Sequence, residues 1–234
     1  MTERMKGRVV MITGASRGLG RALAYGFSRE GAQLVIAARH GDLLDNIADD
    51  IRANGGAVLA RRTDISNLDD VESLVDAAVQ QFKRLDVLIN NAAILEDQHP
   101  LMEAPPEHWL QTLTLNLTGA YYCCREVIPA MRRQSYGRLI NITSEISVQP
   151  RLNYAAYGVS KAGLNALTRA LALELKGAGI LVNGLDPGAA CADTSAAAKI
   201  SLEEIFPGAF HLATLPEDGP TGKFFDRQGR DLNW

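Results

Sequence analysis

Cysteine is scarce in this 234-residue chain: Cys123, Cys124 and Cys191 are the whole supply. An odd number without metal-ligand spacing excludes a disulfide framework and leaves no metal site to expect. Adjacent cysteines on a helix point to different sides, so reduced thiols and a cytoplasmic setting are the expectation. Charge of either sign is also nearly absent in excess. A net charge of -3 gives no electrostatic reason to expect nucleic acid or an anionic membrane as partner. No apolar run approaches membrane-spanning length, and the opening MTERMKGR lacks the apolar core of a signal peptide, so neither a span nor a leader is expected. Internal repeats, linkers and low-complexity tracts are missing too, so residues 1–234 read as one domain.

What is present is ordinary for a soluble globular protein: 47% hydrophobic and 22% charged residues. Strand-like and helix-like stretches alternate. Strands are expected at Val9–Ile12, Gln33–Ala38, Ala57–Ala60, Asp86–Asn90, Arg138–Thr143, Ile180–Leu185 and, after the turn signal at Gly219 to Gly222, Lys223–Phe225. Helical spacing runs through Arg21–Phe27, Asp42–Ala53, Leu68–Phe82, Glu107–Met131 and Ala155–Leu175. Such alternation implies an α/β fold: a doubly wound parallel sheet of about seven strands with helices on both faces. Ligands of such sheets bind beyond the strand carboxyl ends. Thr13, Ala38, Asp64, Asn90, Thr143 and Leu185 fall at or just past those ends. The Ala- and Ser-rich segment Ala189–Pro207 reads as a mobile loop or short helix, a candidate lid.

The stretch that organises the chain is TGASRGLG, Thr13 to Gly20. Gly14, Gly18 and Gly20 sit where the first strand turns into a helix, which permits a tight turn and close approach of backbone to ligand. The helix start offers N–H groups and a positive dipole end suited to a pyrophosphate. The spacing is G-x-x-x-G-x-G rather than the G-x-G-x-x-G usual for dinucleotide sites. An acid about 20 residues beyond such a turn binds the ribose 2′-hydroxyl of NAD. Here Ala38 holds that position and Arg39 follows, with Arg17 inside the glycine turn. A missing acid and two guanidinium groups favour NADP over NAD.

Tyr157 and Lys161 are spaced i, i+4 on one helix face. An ammonium beside a phenol favours the phenolate, and such a tyrosine can give or take a proton. Ser144 lies at the end of the fifth strand, where its hydroxyl can reach a substrate oxygen. Asn116 sits within the long helix, where asparagine is unfavourable without a partner.

TGASRGLG, then Asn90-Asn91-Ala92-Ala93, Asn116, Ser144, Tyr157 with Lys161, and Pro187-Gly188 stand in an order and spacing that resemble the short-chain dehydrogenase/reductase family over essentially the whole chain. The tail Leu212–Phe225 is similar to carbonyl-reductase-like members. The resemblance implies Tyr157 as general acid/base, Lys161 as the residue that holds the nicotinamide ribose and lowers the phenol's pKa, Ser144 as the polariser of the carbonyl, and Asn116 as the holder of a water that links Lys161 to solvent. It implies cofactor contacts from Gly14, Ser16, Arg17, Gly18, Leu19, Gly20, Arg39, Asp64, Ile65, Asn91, Ala92, Tyr157, Lys161, Pro187, Gly188 and Ala190. Two departures stand out: Ala93 replaces a usual glycine, and Ala192 stands where a threonine is usual, with Thr194 two residues on.

The resulting expectation is an NADP(H)-dependent reductase of a neutral ketone, aldehyde or quinone. Ile94, Ile146, Gln149, Leu152, Tyr154 and the Ala189–Pro207 loop are the expected substrate-side residues. The competing expectations are NAD-linked alcohol oxidation and a non-catalytic dinucleotide-binding regulator. The apolar stripes of Leu113–Met131 and Ala155–Leu175 also suggest a homodimer or homotetramer.

Overall fold

The computed structural model describes residues 4–95, 99–188 and 204–234. Eight strands among these residues form one sheet in the order β3-β2-β1-β4-β5-β6-β7-β8. The strands are β1 (Val9–Thr13), β2 (Gln33–Ala38), β3 (Val58–Arg62), β4 (Val87–Asn90), β5 (Gly137–Ile142), β6 (Ile180–Asp186), β7 (Phe224–Asp226) and β8 (Asp231–Leu232). All pair in parallel except β8, which runs antiparallel to β7.

Alternation along the strands explains the two-faced core. Val10, Ile12, Leu34, Ile36 and Ile89 point into one apolar layer. Their neighbours Val9, Met11, Val35, Ala37 and Leu88 point into the other, as a pleat of period two requires. The first layer is covered by α1 (Gly18–Arg29), α2 (Gly41–Ala53) and α7 (Phe206–Ala213), through residues such as Phe27, Ile47 and Phe210. The second is covered by α3 (Leu68–Phe82), α5 (Ala120–Arg133) and the end of α6 (Ala155–Glu174). In α2 the buried Leu44, Ile47, Ala48 and Ile51 repeat at the helical interval. Strand order reverses between β1 and its neighbours β2 and β4, so the crevice beside β1 lies at the topological switch point.

Four expectations need correction. The segment expected as one helix over Glu107–Met131 is α4 (Pro106–Leu113), a π-helical segment (Thr114–Gly119) and α5. Periodicity of apolar residues does not distinguish a local widening of the helix from a regular one. The end of the Ala189–Pro207 segment, Phe206 and Pro207, opens α7, because Phe206 and Phe210 pack with Phe27 in an aromatic cluster; residues 189–203 lie outside the described residues. Strand β3 runs to Arg62, past the expected Ala60, because pairing with β2 continues to Ala38. The eighth strand is a short hairpin return that Phe224 and Trp234 brace by stacking.

Thr13 fastens the glycine turn to the sheet. Its Oγ1 accepts from the backbone N–H groups of Asn91 and Ala92, each at 3.0 Å, and donates to the Ile89 carbonyl. Asn91 Nδ2 returns a bond to the Thr13 carbonyl at 2.8 Å. Thr13→Val keeps the shape and strands two N–H groups, each costing about 1–3 kcal/mol when buried. Chemical denaturation is expected to show a loss of about 2 kcal/mol for Thr13→Val and a much smaller one for Thr13→Ser; equal losses for both would contradict this role.

Candidate active site

The cleft at the switch point is lined by Gly14, Ser16, Arg17, Gly18, Leu19, Gly20, Ala38, Arg39, His40, Thr63, Ile65, Asn91, Ala92, Ala93, Ile94, Thr143, Tyr157, Lys161 and Pro187. Gly14 has φ +65°, and a Cβ there would meet the Ala92 Cα at 2.8 Å. A Cβ on Gly20 would run into the Gly14 carbonyl and Asn91 Nδ2. These glycines therefore let β1, α1 and the end of β4 close around one concave backbone surface. Arg17, the N-cap of α1, makes no side-chain cap bond, and the first turn holds no acid. The positive helix end thus faces the cleft without a side-chain anion. Thr143 Oγ1 lines the same cleft, buried and without a partner. A cradle of backbone, a positive helix end and an unsatisfied hydroxyl fit a dinucleotide with a phosphate bridge and a polar head.

At the other end of the cleft, α6 delivers Tyr157 and Lys161. Lys161 is 2% exposed, and its Nζ donates to the Ile142 carbonyl at 2.7 Å. Burial pushes its pKa down to about 8, since low dielectric disfavours the ammonium. Nζ lies 5.5 Å from the centre of the Tyr157 ring. Ser144 ends the β5 excursion: its Oγ accepts from Ile146 N, which caps the short helical turn Glu145–Ser147. Ser147 Oγ donates to the Ser144 carbonyl at 2.6 Å, and Asn165 Nδ2 in turn donates to Ser147. The Ser144 side chain lies beside the Tyr157 phenol and favours its ionised form.

Burial pushes the Tyr157 pKa up to about 12, the neighbouring Ser144 side chain pulls it back, and the charges of Asp186 and Tyr154 raise it further. The Lys161 amine beside it is anchored on the Ile142 carbonyl, and burial weakens its own charge.

Asn116 is 1% exposed in the π-helical segment. Its Oδ1 accepts from Ile94 N at 2.8 Å, while Nδ2 donates to the Ile94 carbonyl at 2.9 Å and to Ser160 Oγ at 3.1 Å. The side chain clamps the stretch after β4 to the helix layer and keeps no free N–H for a water.

Other expected residues scatter. Asp64 does not line the cleft; its carboxylate accepts from Ser66 N and Oγ, although Thr63 and Ile65 flank it there. Gly188 faces a different cleft with Gln149 and Asp186. Ile94 lines the main cleft, while Tyr154 lines an apolar crevice with Leu95, Leu101, Trp109 and Tyr157. Ile146 is buried and Leu152 is 87% exposed. Ala190, Ala192 and Thr194 lie outside the described residues. Thr143, expected only as a strand end, also lines the cleft; Asp186 was not expected, and a carboxylate directly before Pro187-Gly188 at a strand end was the available signal for it.

Cys123 and Cys124 are both buried in the layer between sheet and α5, and burial pushes both thiols up. Cys191 lies outside the described residues. Among the described residues no group of His, Cys, Asp and Glu is arranged for a metal, and no helix is long and apolar enough to cross a membrane.

The Lys161 environment carries a pH signature. Its folded pKa of about 8 lies below the ordinary lysine value of 10.5, so between these values the unfolded chain holds more protons and stability rises with pH. The stability of the wild type relative to Lys161→Met is expected to climb across that window in urea titrations at stepped pH. A flat difference would contradict the burial of a titrating amine.

The family model described as short chain dehydrogenase matches residues 8–204. The 3-oxoacyl-[acyl-carrier-protein] reductase of Synechocystis sp. is 37% identical over 182 residues, spanning 77% of this chain and 73% of that protein. The 3beta-hydroxysteroid dehydrogenase 1 of Eggerthella lenta is 37% identical over 193 residues, 81% of this chain and 73% of its own. A solved metagenomic short-chain oxidoreductase in complex with NADP superimposes with a TM-score of 0.84 at 32% identity, covering 93% of this chain and 95% of that one. With its glycine cradle and its Ser144–Tyr157–Lys161 cluster on a parallel sheet matched along most of its length, the chain belongs to the short-chain dehydrogenase/reductase family of oxidoreductases.

Proposed function

We propose that the protein reduces a neutral carbonyl compound with NADPH, with Tyr157 as proton donor. The observation that carries this reading is that Tyr157 and the buried Lys161 line the same cleft as Gly14, Gly18 and Gly20, with Ser144 beside the phenol. A nicotinamide, when bound in the cleft, would supply hydride chemistry at the carbonyl carbon. Ser144 Oγ donates to the carbonyl oxygen and stabilises the charge that develops there. Tyr157 passes its proton to that oxygen, and its raised pKa keeps the proton in place until the oxygen becomes the stronger base. Lys161 keeps its Nζ anchored on Ile142, with further N–H groups for a ribose hydroxyl. Asn116 contributes by fixing the Ile94 wall of the cleft.

Cofactor choice follows from the far end of the cleft. Ala38 closes β2 where an acid would repel a 2′-phosphate, and the exposed Arg17 and Arg39 with His40 flank it. Asn91 and Ala92 would lie along the ribose, and Thr63 and Ile65 near the adenine. Substrate class follows from the crevice beside Tyr157. Its walls of Leu95, Leu101, Pro106 and Trp109 favour an apolar ketone, aldehyde or quinone. The names of the relatives span an acyl-carrier-protein reductase and a steroid dehydrogenase, so neither substrate is transferred here.

Assembly is part of the same proposal. Leu110, Tyr121, Val159 and Leu173 are exposed on α4, α5 and α6 at 63%, 45%, 48% and 76%. These side chains favour a homodimer or homotetramer through the faces of these helices. Light scattering is expected to give a multiple of 25.3 kDa; a monomer at micromolar concentration, as about 1 μM, contradicts it.

The functional test is a carbonyl panel followed by NADPH absorbance. Tyr157→Phe is expected to lower kcat by about 10³ while NADPH still binds. Arg39→Ala is expected to weaken NADPH about tenfold and leave NADH unaffected, the scale of one charge-assisted contact. Tight NADPH binding without Tyr157-dependent turnover would point to a regulator, and an unmoved cofactor preference in Arg39→Ala would remove the NADP assignment.

A further inference from the structure

The apolar crevice beside Tyr157 holds three polar side chains that carbonyl reduction itself does not use. His99, His108 and Asn153 line it together with Leu95, Leu101 and Trp109. Tyr157 and Leu95 line both this crevice and the glycine-lined cleft, so the crevice opens from the place where a carbonyl would be reduced. Among the described residues no lysine, arginine, aspartate or glutamate lines it, and such a lining suits an uncharged ligand. Its volume of about 230 Å³ lies below the range typical of drug-sized ligands, so it takes one ring or a short chain rather than a polycyclic skeleton.

Two of these side chains come from opposite walls. α4 opens on Pro105 and Pro106, and proline at a helix start fixes the first turn. The backbone N–H of His108 donates to the Pro105 carbonyl at 3.0 Å, which leaves the imidazole for other work. Nδ1 of that ring is buried and has no hydrogen-bond partner among the described residues. A buried polar atom of this kind is costly in the free protein, and a ligand group that pairs with it removes the cost. On the other wall Asn153 precedes α6 with φ +68°, a left-handed conformation that asparagine adopts more readily than most residues. Tyr154 N donates to the Arg151 carbonyl at 3.3 Å and closes the turn. Asn153 stands four residues before Tyr157, and its carboxamide has no hydrogen-bond partner among the described residues.

We propose that His108 and Asn153 are specificity-determining residues that select a ketone with a hydroxyl remote from the reacting carbonyl, carried on a single ring or a short chain. The reaction rests on the reductase reading; the recognition rests on the crevice alone. A neutral imidazole offers one donor and one acceptor nitrogen, and a carboxamide offers both kinds of group as well. A hydroxyl both donates and accepts, so it pairs with either side chain whichever imidazole nitrogen holds the proton, whereas a second carbonyl only accepts. The apolar walls take the rest of the molecule. Selection works mainly by rejection, because an analogue without the hydroxyl fills the same space and leaves the His108 nitrogen unpaired.

The test uses the full-length protein and two probe ketones, benzylacetone and its para-hydroxy analogue, which differ in a single hydroxyl. Binding is read without turnover from quenching of Trp109 fluorescence, in a Trp234→Phe background that removes the other tryptophan. Reduction is read from NADPH absorbance as the ratio of kcat/KM values for the two ketones. Both measurements are expected to favour the hydroxy ketone about tenfold, the scale of one buried hydrogen bond. The preference is expected to vanish in His108→Phe, which keeps a ring of similar shape. It is expected to shrink in Asn153→Gly, which suits the positive φ and keeps the turn, and this variant decides the matter if His108→Phe does not fold. Equal affinity of the parent protein for the two ketones, no binding of either, or a full preference in the folded variants overturns the proposal. If the hydroxy ketone binds selectively but neither ketone is reduced, the reductase reading fails while the role of the crevice stands.

Discussion

The juxtaposition of Ser144 and Tyr157 is the constraint on which the account of this site depends. It joins the end of β5 to the first turns of α6, two elements that approach the cleft from different layers. Everything near it serves to hold those two hydroxyls together. The Ser147 and Asn165 bonds fix the Ser144 turn, Lys161 nails α6 to the Ile142 carbonyl, and Ser160 Oγ links the Tyr157 carbonyl to Asn116. A hydroxyl pair placed this way offers one donor to a carbonyl oxygen and one proton to follow.

Behind this pair stands a sheet whose two faces are dry. Full burial of β1, β4, β5 and β6 leaves the carboxyl ends as the place where polar groups can gather. Thr13, Asn90, Asn141 and Thr143 occupy those ends. Asn90 donates to Asn141 Oδ1, which sits on a residue that donates to Thr168. These contacts lock neighbouring strands and α6 in register, so the site inherits its geometry from core packing rather than from loop conformation. Low dielectric has a second consequence: burial shifts the phenol and the amine in opposite directions, away from their charged forms.

Much of this was legible in the chain. The β-branched runs before Thr13 and after Tyr136, and the 3-4 spacing of Leu44, Ile47 and Ile51, placed strands and helices within a residue or two. The glycine spacing placed the cleft. What periodicity could not express was the π-helical widening around Asn116, because one extra residue in a turn leaves the apolar stripe almost unchanged. Nor could spacing show that Asn116 spends both N–H groups on protein partners, or that Lys161 Nζ, 5.5 Å from the phenol ring centre, donates to the Ile142 backbone carbonyl. Those depend on which acceptor is nearest in three dimensions.

The central claim is that hydride leaves the dinucleotide for a carbonyl carbon while Tyr157 supplies the proton. Its most direct measurement is transfer of label from NADPH deuterated at the transferable position to an apolar ketone, with the product examined by mass spectrometry. The account predicts an alcohol that carries deuterium on the carbinol carbon, formed by the wild type and not by Tyr157→Phe. Recovery of unlabelled ketone from a protein saturated with NADPH would contradict it.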